Sequence, residues 1–137
     1  PLVRAVSFVG SSAGARAVYA LAAAHGKRVQ CQGGAKNPII VLSDADVDNA
    51  TPVIADSAFG CAGQRCLAAS MAILVGEAQS RFGESLREAA AQRTTGNGLD
   101  AAVQMGPVIS PQSRARICDL LDRAERDGAR LTVDGRE

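Results

Sequence analysis

The chain has 137 residues, of which 47% are hydrophobic and only 3% aromatic, and its formal net charge is +1 at pH 7. This length suffices for one domain with a modest core. Charges of both signs are mixed along the chain and tryptophan is absent, which argues against a nucleic-acid or membrane-surface partner. The apolar runs are too short to span a bilayer, and the alanine- and arginine-rich composition favours a bacterial cytoplasmic protein.

The first part of the chain predicts a strand, a helix and a second strand. Val3 to Val9 is apolar and β-branched, as in a buried strand. Gly10-Ser11-Ser12 predicts a turn and a helix N-cap, and an alanine-rich helix continues to Ala24. Lys27 to Cys31 predicts a short second strand. Such a unit is the building block of a parallel sheet.

The same alternation continues after the break at Gly33-Gly34. Pro38 to Leu42 predicts a strand, and Val47 to Phe59 predicts a helix. Pro52 either delays the start of that helix to near Thr51 or kinks it, because proline costs about 3 kcal/mol in a helix interior.

The second half of the chain predicts further strands and helices, so the fold class is α/β. The predicted elements are a strand over Ser70 to Val75, a helix over Glu77 to Gln92 with Phe82 and Leu86 on its apolar face, a polar loop over Thr94 to Gly106, a helix from Pro111 to Asp127 with Ile117, Leu120, Leu121 and Ala124 as its apolar stripe, and a strand over Leu131 to Val133.

The segment from Phe59 to Cys66 holds two glycines and two cysteines directly after a helix. A thiol on such a glycine-rich loop can reach a substrate carbon, which makes Cys66 the first candidate for catalysis. Cys61 is interpreted as a small packing residue, and Cys118 as a core residue. A disulfide framework is a minor alternative at this chain length. With His25 as the single histidine and no paired C-x-x-C motif, no metal site is predicted.

Two glycine turns are candidate ligand sites. Gly10-Ser11 follows a strand and opens a helix, where backbone N–H groups and the helix dipole favour an anion such as a dinucleotide phosphate. The full G-x-G-x-x-G fingerprint is not present, and a plain turn is the alternative. Gly33-Gly34 is either a hinge or a place where a flat ring approaches the backbone closely.

Five segments, taken together, resemble the aldehyde dehydrogenase superfamily in their order and spacing. The resemblance covers the whole chain but only a middle part of the family's length. It implies the end of a Rossmann-like NAD-binding domain in residues 1–33 and the first half of the α/β catalytic domain in residues 34–137. The segments are Ser7 to Ser12, Gly33 to Pro38, Asp44 to Asp46, Gly63 to Cys66 and Met105 to Ile109.

The resemblance implies that Cys66 is the nucleophile. Its thiolate attacks an aldehyde, the thiohemiacetal passes hydride to NAD, and a thioester stays on the sulfur. Arg65 either favours the thiolate or is an ordinary surface or ion-paired arginine. The implied cofactor-binding residues are Gly10, Ser11, Gly33 and Gly34.

One departure from the family's pattern indicates a particular branch of the family. Members that hydrolyse the thioester carry a glutamate base two residues before the glycine pair, where this chain has Cys31 followed by Gln32. This feature and the run Gly34 to Asn37 are similar to the methylmalonate-semialdehyde dehydrogenase branch. That branch implies a malonate or methylmalonate semialdehyde substrate, coenzyme A as the acyl acceptor, and loss of carbon dioxide.

Alternatives stay open at this point. They are a water-using aldehyde dehydrogenase whose base lies elsewhere, and a non-catalytic interaction module with an inert Cys66. Cys31 is either a neutral filler or a second thiol open to oxidation with Cys66.

Both ends of the sequence look cut, so we expect the chain to be a fragment of a longer protein. The family's oxyanion-stabilising asparagine and ribose-binding lysine would lie upstream of Pro1, and its glutamate for the nicotinamide ribose beyond Glu137. We therefore expect no useful dehydrogenase activity from the chain alone, and a homo-oligomer, dimer or tetramer, for the full-length protein.

Overall fold

The structure is a computed structural model that describes residues 2–136. It forms two compact units, which are divided between Lys36 and Asn37. Each unit contains a two-stranded parallel sheet. These sheets and their helices confirm the predicted α/β class, whereas the predicted domain boundary after residue 33 stays a prediction.

The first unit is the predicted strand–helix–strand. Strand β1 covers Ala5–Val9, helix α1 covers Ser12–Ala24, and strand β2 covers Arg28–Gln32. The strands pair in parallel, with Ala5 opposite Arg28 and Val9 opposite Gln32. Successive residues of each strand alternate between half-buried and exposed, because side chains of a strand point to opposite faces.

The second unit repeats this pattern and adds two helices. Strands β3 and β4 pair in parallel on either side of α2 in the sequence. The elements are β3 (Pro38–Val41), α2 (Val47–Phe59), β4 (Met71–Leu74), α3 (Ala78–Ala91) and α4 (Pro111–Arg126).

Helix α2 begins at Val47, so Pro52 does not delay its start. The Asp46 side chain caps this end by accepting a hydrogen bond from the Asn49 N–H at 3.1 Å. The helix also buries Ile54 and Ala55, and this packing offsets the backbone hydrogen bond that a proline cannot donate.

The core of the second unit lies between the β3–β4 sheet and helices α2 and α3. Val41, Ile54, Ala78 and Phe82 form its buried cluster, and Leu86 packs against it. Phe82 is fully buried, which confirms the apolar face predicted for α3.

Two predictions near the end of the chain were wrong, namely the strand over residues 131–133 and the core position of Cys118. Residues 131–133 form a bend instead of a strand, because neither sheet offers them a hydrogen-bonding partner within residues 2–136. On α4, Ile117 and Leu120 are 37% and 45% exposed. Cys118 on the same helix is half-buried and thus not a full core residue. Across the described residues, no helix combines the length and hydrophobicity needed to cross a membrane.

Candidate functional site

A left-handed turn connects α2 to the cysteine segment. Cys61, Ala62 and Gly63 have φ angles of 53°, 53° and 70°. Two consecutive non-glycine residues in this region are unusual, since the β-carbon crowds the following carbonyl oxygen. The turn is closed by Gln64, whose backbone N–H and side-chain Nε2 both donate to the Cys61 carbonyl oxygen, at 3.0 and 2.9 Å. This turn lies just before Cys66 in the sequence.

Cys66 lies in an irregular segment between this turn and β4, and its side chain is exposed. Hydrogen bonds from other parts of the unit hold the segment. Asn37 Nδ2 donates to the carbonyl oxygens of Cys66 and Ala68, at 2.9 and 3.0 Å. Ser57 on α2 accepts a hydrogen bond from the Ala69 N–H at 3.2 Å. The predicted thiol is therefore accessible and sits on a fixed backbone.

Gln64 also connects two of the segments that carry the resemblance. Its Oε1 accepts a hydrogen bond from the Ile109 N–H at 2.8 Å, although 45 residues separate the two in the sequence. The run Met105 to Ile109 therefore lies against the loop that carries Cys66.

Arg65 points back to the end of α2. Its guanidinium donates to the Asp56 carbonyl oxygen at 2.7 Å. The same group occupies the space beside Gly60, where a β-carbon would lie 1.7 Å from Arg65 Nη2. These contacts give Arg65 a structural role and favour the second of the two interpretations of this side chain.

The Gly10-Ser11 turn forms the N-terminus of α1 in the first unit. Ser11 caps the helix by accepting a hydrogen bond from the Gly14 N–H at 3.1 Å. The N–H groups of Ser12 and Ala13 keep no acceptor within the described part of the chain. Free N–H groups at the start of a 13-residue helix suit a phosphate chemically.

The chain packs closely around Gly10 and Gly33. A β-carbon at Gly10 would lie 2.7 Å from Phe8 Cζ, and one at Gly33 would lie 2.9 Å from Ser12 Oγ. The Gly34 N–H donates to Ser12 Oγ at 3.1 Å. Gly33 and Gly34 thus brace the helix end, and their contact with a cofactor stays a prediction.

Cys31 is half-buried on β2, directly opposite Phe8 of β1 in the sheet register. Its neighbour Gln32 is exposed. This placement agrees with the interpretation of Cys31 as a filler. All four cysteines are free thiols, and residues 2–136 hold no cluster of three or more metal-binding side chains.

Sequence reasoning did not single out Asn37 or Ser57 as residues of the site. Both bond to backbone atoms, Asn37 across 29 residues to Cys66 and Ser57 across 12 residues to Ala69, so no local pattern marks them. The sequence feature that could have pointed to Asn37 is its position inside Gly33 to Pro38, one of the segments that resemble the family.

The α/β fold and the cysteine loop match a known family along the entire chain. The family model described as "Aldehyde dehydrogenase family" matches residues 1–137. The chain therefore belongs to the aldehyde dehydrogenase family.

Particular members give a finer comparison. The chain is 48% identical to malonate-semialdehyde dehydrogenase 3 of Geobacillus kaustophilus, over 98% of this chain and 28% of that protein. It is 41% identical to the mitochondrial methylmalonate-semialdehyde/malonate-semialdehyde dehydrogenase (acylating) of Bos taurus, over 99% of this chain and 25% of that protein. The chain thus spans little more than a quarter of the length of these relatives.

A solved structure of a protein from the same family is also similar to this chain. The NAD complex of a Sinorhizobium meliloti protein assigned as a methylmalonate-semialdehyde dehydrogenase superimposes with a TM-score of 0.92 at 44% identity. The match covers 97% of this chain and 27% of that one.

Proposed function

We propose that this chain contributes the catalytic cysteine of an NAD-dependent, coenzyme A-acylating dehydrogenase for malonate or methylmalonate semialdehyde. The observation that carries the proposal is the exposed thiol of Cys66 on a loop held by Asn37, Ser57 and Gln64. Accessibility and a fixed backbone are the two properties that a covalent nucleophile requires.

The first step forms a bond between Cys66 Sγ and the aldehyde carbon, and the carbonyl oxygen becomes an oxyanion. The backbone N–H of Cys66 donates to no acceptor within residues 2–136, so it is free to donate to this oxyanion. Loss of hydride from the same carbon leaves a thioester on Cys66. Bound NAD would accept that hydride and become NADH.

The N-terminus of α1 supports the proposed NAD site. The free N–H groups of Ser12 and Ala13 would donate to the cofactor's phosphates, and Gly10 and Ser11 would shape the turn that brings those phosphates close. The bound NAD of the Sinorhizobium meliloti structure supports the same cofactor for this chain.

The choice of coenzyme A over water rests on the residues before the glycine pair. Neither Cys31 nor Gln32 is a carboxylate that could activate water, and Cys31 is half-buried. The thiol of coenzyme A would attack the thioester and expel the Cys66 thiolate, giving acyl-CoA. The word "acylating" in the bovine relative's name supports this step. Loss of carbon dioxide from the semialdehyde substrate is part of the same proposal.

The setting of the whole protein is part of the proposal. A reducing compartment, here the cytoplasm, would keep the exposed Cys66 as a free thiol. The proposed assembly is a homo-oligomer, either a dimer or a tetramer.

The proposal is tested on the full-length protein with malonate semialdehyde and NAD, in the presence and absence of coenzyme A. We expect continuous NADH formation only with coenzyme A. C66S should lower kcat by about a thousandfold or more, because the nucleophile is lost. C61S, at the exposed cysteine of the same loop, is the matched control and should stay close to wild type.

Two outcomes would contradict this function. Activity that survives C66S would exclude Cys66 as the nucleophile. Steady turnover to the free acid without coenzyme A would instead identify a water-using aldehyde dehydrogenase.

A further inference from the structure

The backbone around Cys66 is fixed from a distant point in the sequence. Asn37 immediately precedes β3, and 29 residues separate it from Cys66. Cys66 itself belongs to no helix or strand, so regular hydrogen bonding does not hold its carbonyl group. The contacts of Asn37 hold this carbonyl from outside the segment, in addition to the turn that the Ala68 N–H closes on the Arg65 carbonyl oxygen at 3.1 Å.

Asn37 makes four hydrogen bonds to the segment from Cys66 to Ser70. Its Nδ2 donates to the carbonyl oxygens of Cys66 and Ala68, at 2.9 and 3.0 Å. Its backbone N–H donates to Ser70 Oγ at 2.9 Å, and its carbonyl oxygen accepts from the Ser70 N–H at 3.0 Å. Both hydrogens of one amide nitrogen are thus used on the cysteine segment, while the backbone of Asn37 is tied to the start of β4.

We propose that Asn37 is a positioning residue for the Cys66 nucleophile, an inference that rests on the proposed function. Holding the Cys66 carbonyl restricts rotation about the bond between its Cα and its carbonyl carbon. The direction of the Cα–Cβ bond is then set by the scaffold, and only the side-chain torsion χ1 remains to place Sγ. Asn37 touches neither the thiol nor any reacting atom, so it acts on geometry alone.

The chemistry of the side chain explains why an amide is needed at this position. Two carbonyl oxygens converge on one nitrogen, and only a donor can satisfy both. A carboxylate of the same shape would place an acceptor beside two other acceptors and push the segment away. The pair N37D and N37A therefore separates repulsion from simple loss of the two hydrogen bonds.

The test uses the full-length protein. It compares kcat, which depends on the alignment of Cys66 Sγ with the substrate, with the alkylation rate, which depends on the exposure of the Cys66 thiol. We expect N37D and N37A to lower kcat by about ten- to a hundredfold, as small displacements of a nucleophile do, with KM changed by less than about threefold. Alkylation of Cys66 by iodoacetamide needs exposure but little alignment. Its rate, followed by mass spectrometry with Cys61 as the internal reference, should change by less than about threefold.

The control variant is N49A, which removes an amide that donates to the Asp46 side chain at the start of α2. It should retain wild-type kcat. If N37D fails to fold, the kcat of N37A tests the inference. This kcat is expressed per mole of Cys66 that iodoacetamide labels, so that only protein with a reactive thiol is counted.

The outcomes distinguish this inference from the function on which it rests. Wild-type kcat in N37A, or an equal loss in N49A, overturns the role of Asn37 and leaves Cys66 as the nucleophile. Parallel losses of kcat and of Cys66 alkylation also overturn it, because they indicate a general structural defect. Activity that survives C66S overturns the proposed function itself.

Discussion

At the scale of single residues, the cysteine loop depends on a close contact between a glycine and an arginine. Gly60 has φ of −54° and ψ of 133°, a conformation open to any residue, so backbone freedom does not explain it. The missing side chain does, because the Arg65 guanidinium fills that space on its way to the Asp56 carbonyl oxygen.

G60A should displace the Arg65 guanidinium and break its hydrogen bond to Asp56. We expect the free energy of unfolding to fall by about 1 kcal/mol, the net value of one such bond. Urea denaturation measures the change. In an R65A background the same substitution should cost much less, because the group that it displaces is gone. Equal costs in the two backgrounds would show that Gly60 does not act through Arg65.

At the scale of secondary-structure elements, the start of α2 depends on a titrating cap. The N–H of Asn49 donates to the Asp46 carboxylate and, as the largest cause, lowers the pKa of Asp46 from its ordinary value of 3.8. A lowered pKa means that the charged carboxylate favours the folded state. Its contribution is therefore complete above pH 3.8 and is lost as the pH falls through the lowered pKa.

D46A should destabilise the chain near neutral pH, and the difference from wild type should shrink as the pH falls below the ordinary pKa of Asp46. Urea denaturation between about pH 3 and about pH 6 measures both curves. S110A is the matched control, because Ser110 caps α4 with a hydroxyl that does not titrate in this range. A D46A difference that stays constant with pH would contradict the assigned cap.

The same scale shows what the sequence could and could not predict. Periodicity and caps were sufficient for β1, α1, β2 and α3, since their hydrogen bonds and apolar faces are local or alternate regularly. The left-handed turn at Cys61 and Ala62 has no comparable signal, because neither residue type prefers positive φ. The strand predicted over residues 131–133 failed for a related reason, since a strand needs a partner that its own sequence does not specify.

The candidate site also contains residues that the sequence could predict and residues that it could not. The exposed position of Cys66 could be predicted because it follows a glycine-rich loop, whereas its catalytic role stays a prediction that rests on the resemblance of the surrounding motif to a known family. The side chains that hold its backbone could not, since the contacts from Asn37 and Ser57 form only after β3, β4 and α2 have assembled.

At the scale of the whole molecule, many large apolar side chains remain exposed, among them Leu67 beside Cys66, at 83%. An exposed thiol surrounded by water can add to an aldehyde. Hydride transfer, however, also requires a fixed nicotinamide ring and a site that excludes water. The chain covers only about a quarter of the length of its relatives.

We therefore predict that the 137-residue chain alone binds aldehydes reversibly at Cys66 but does not oxidise them. With malonate semialdehyde, NAD and coenzyme A, its NADH formation should equal that of C66S, whereas the aldehyde should protect Cys66 from iodoacetamide. Protection shows that the nucleophile works, and the missing NADH shows that hydride transfer needs more than this chain provides. NADH formation that depends on Cys66 would prove the opposite, namely that these two compact units already contain every group that the oxidation requires.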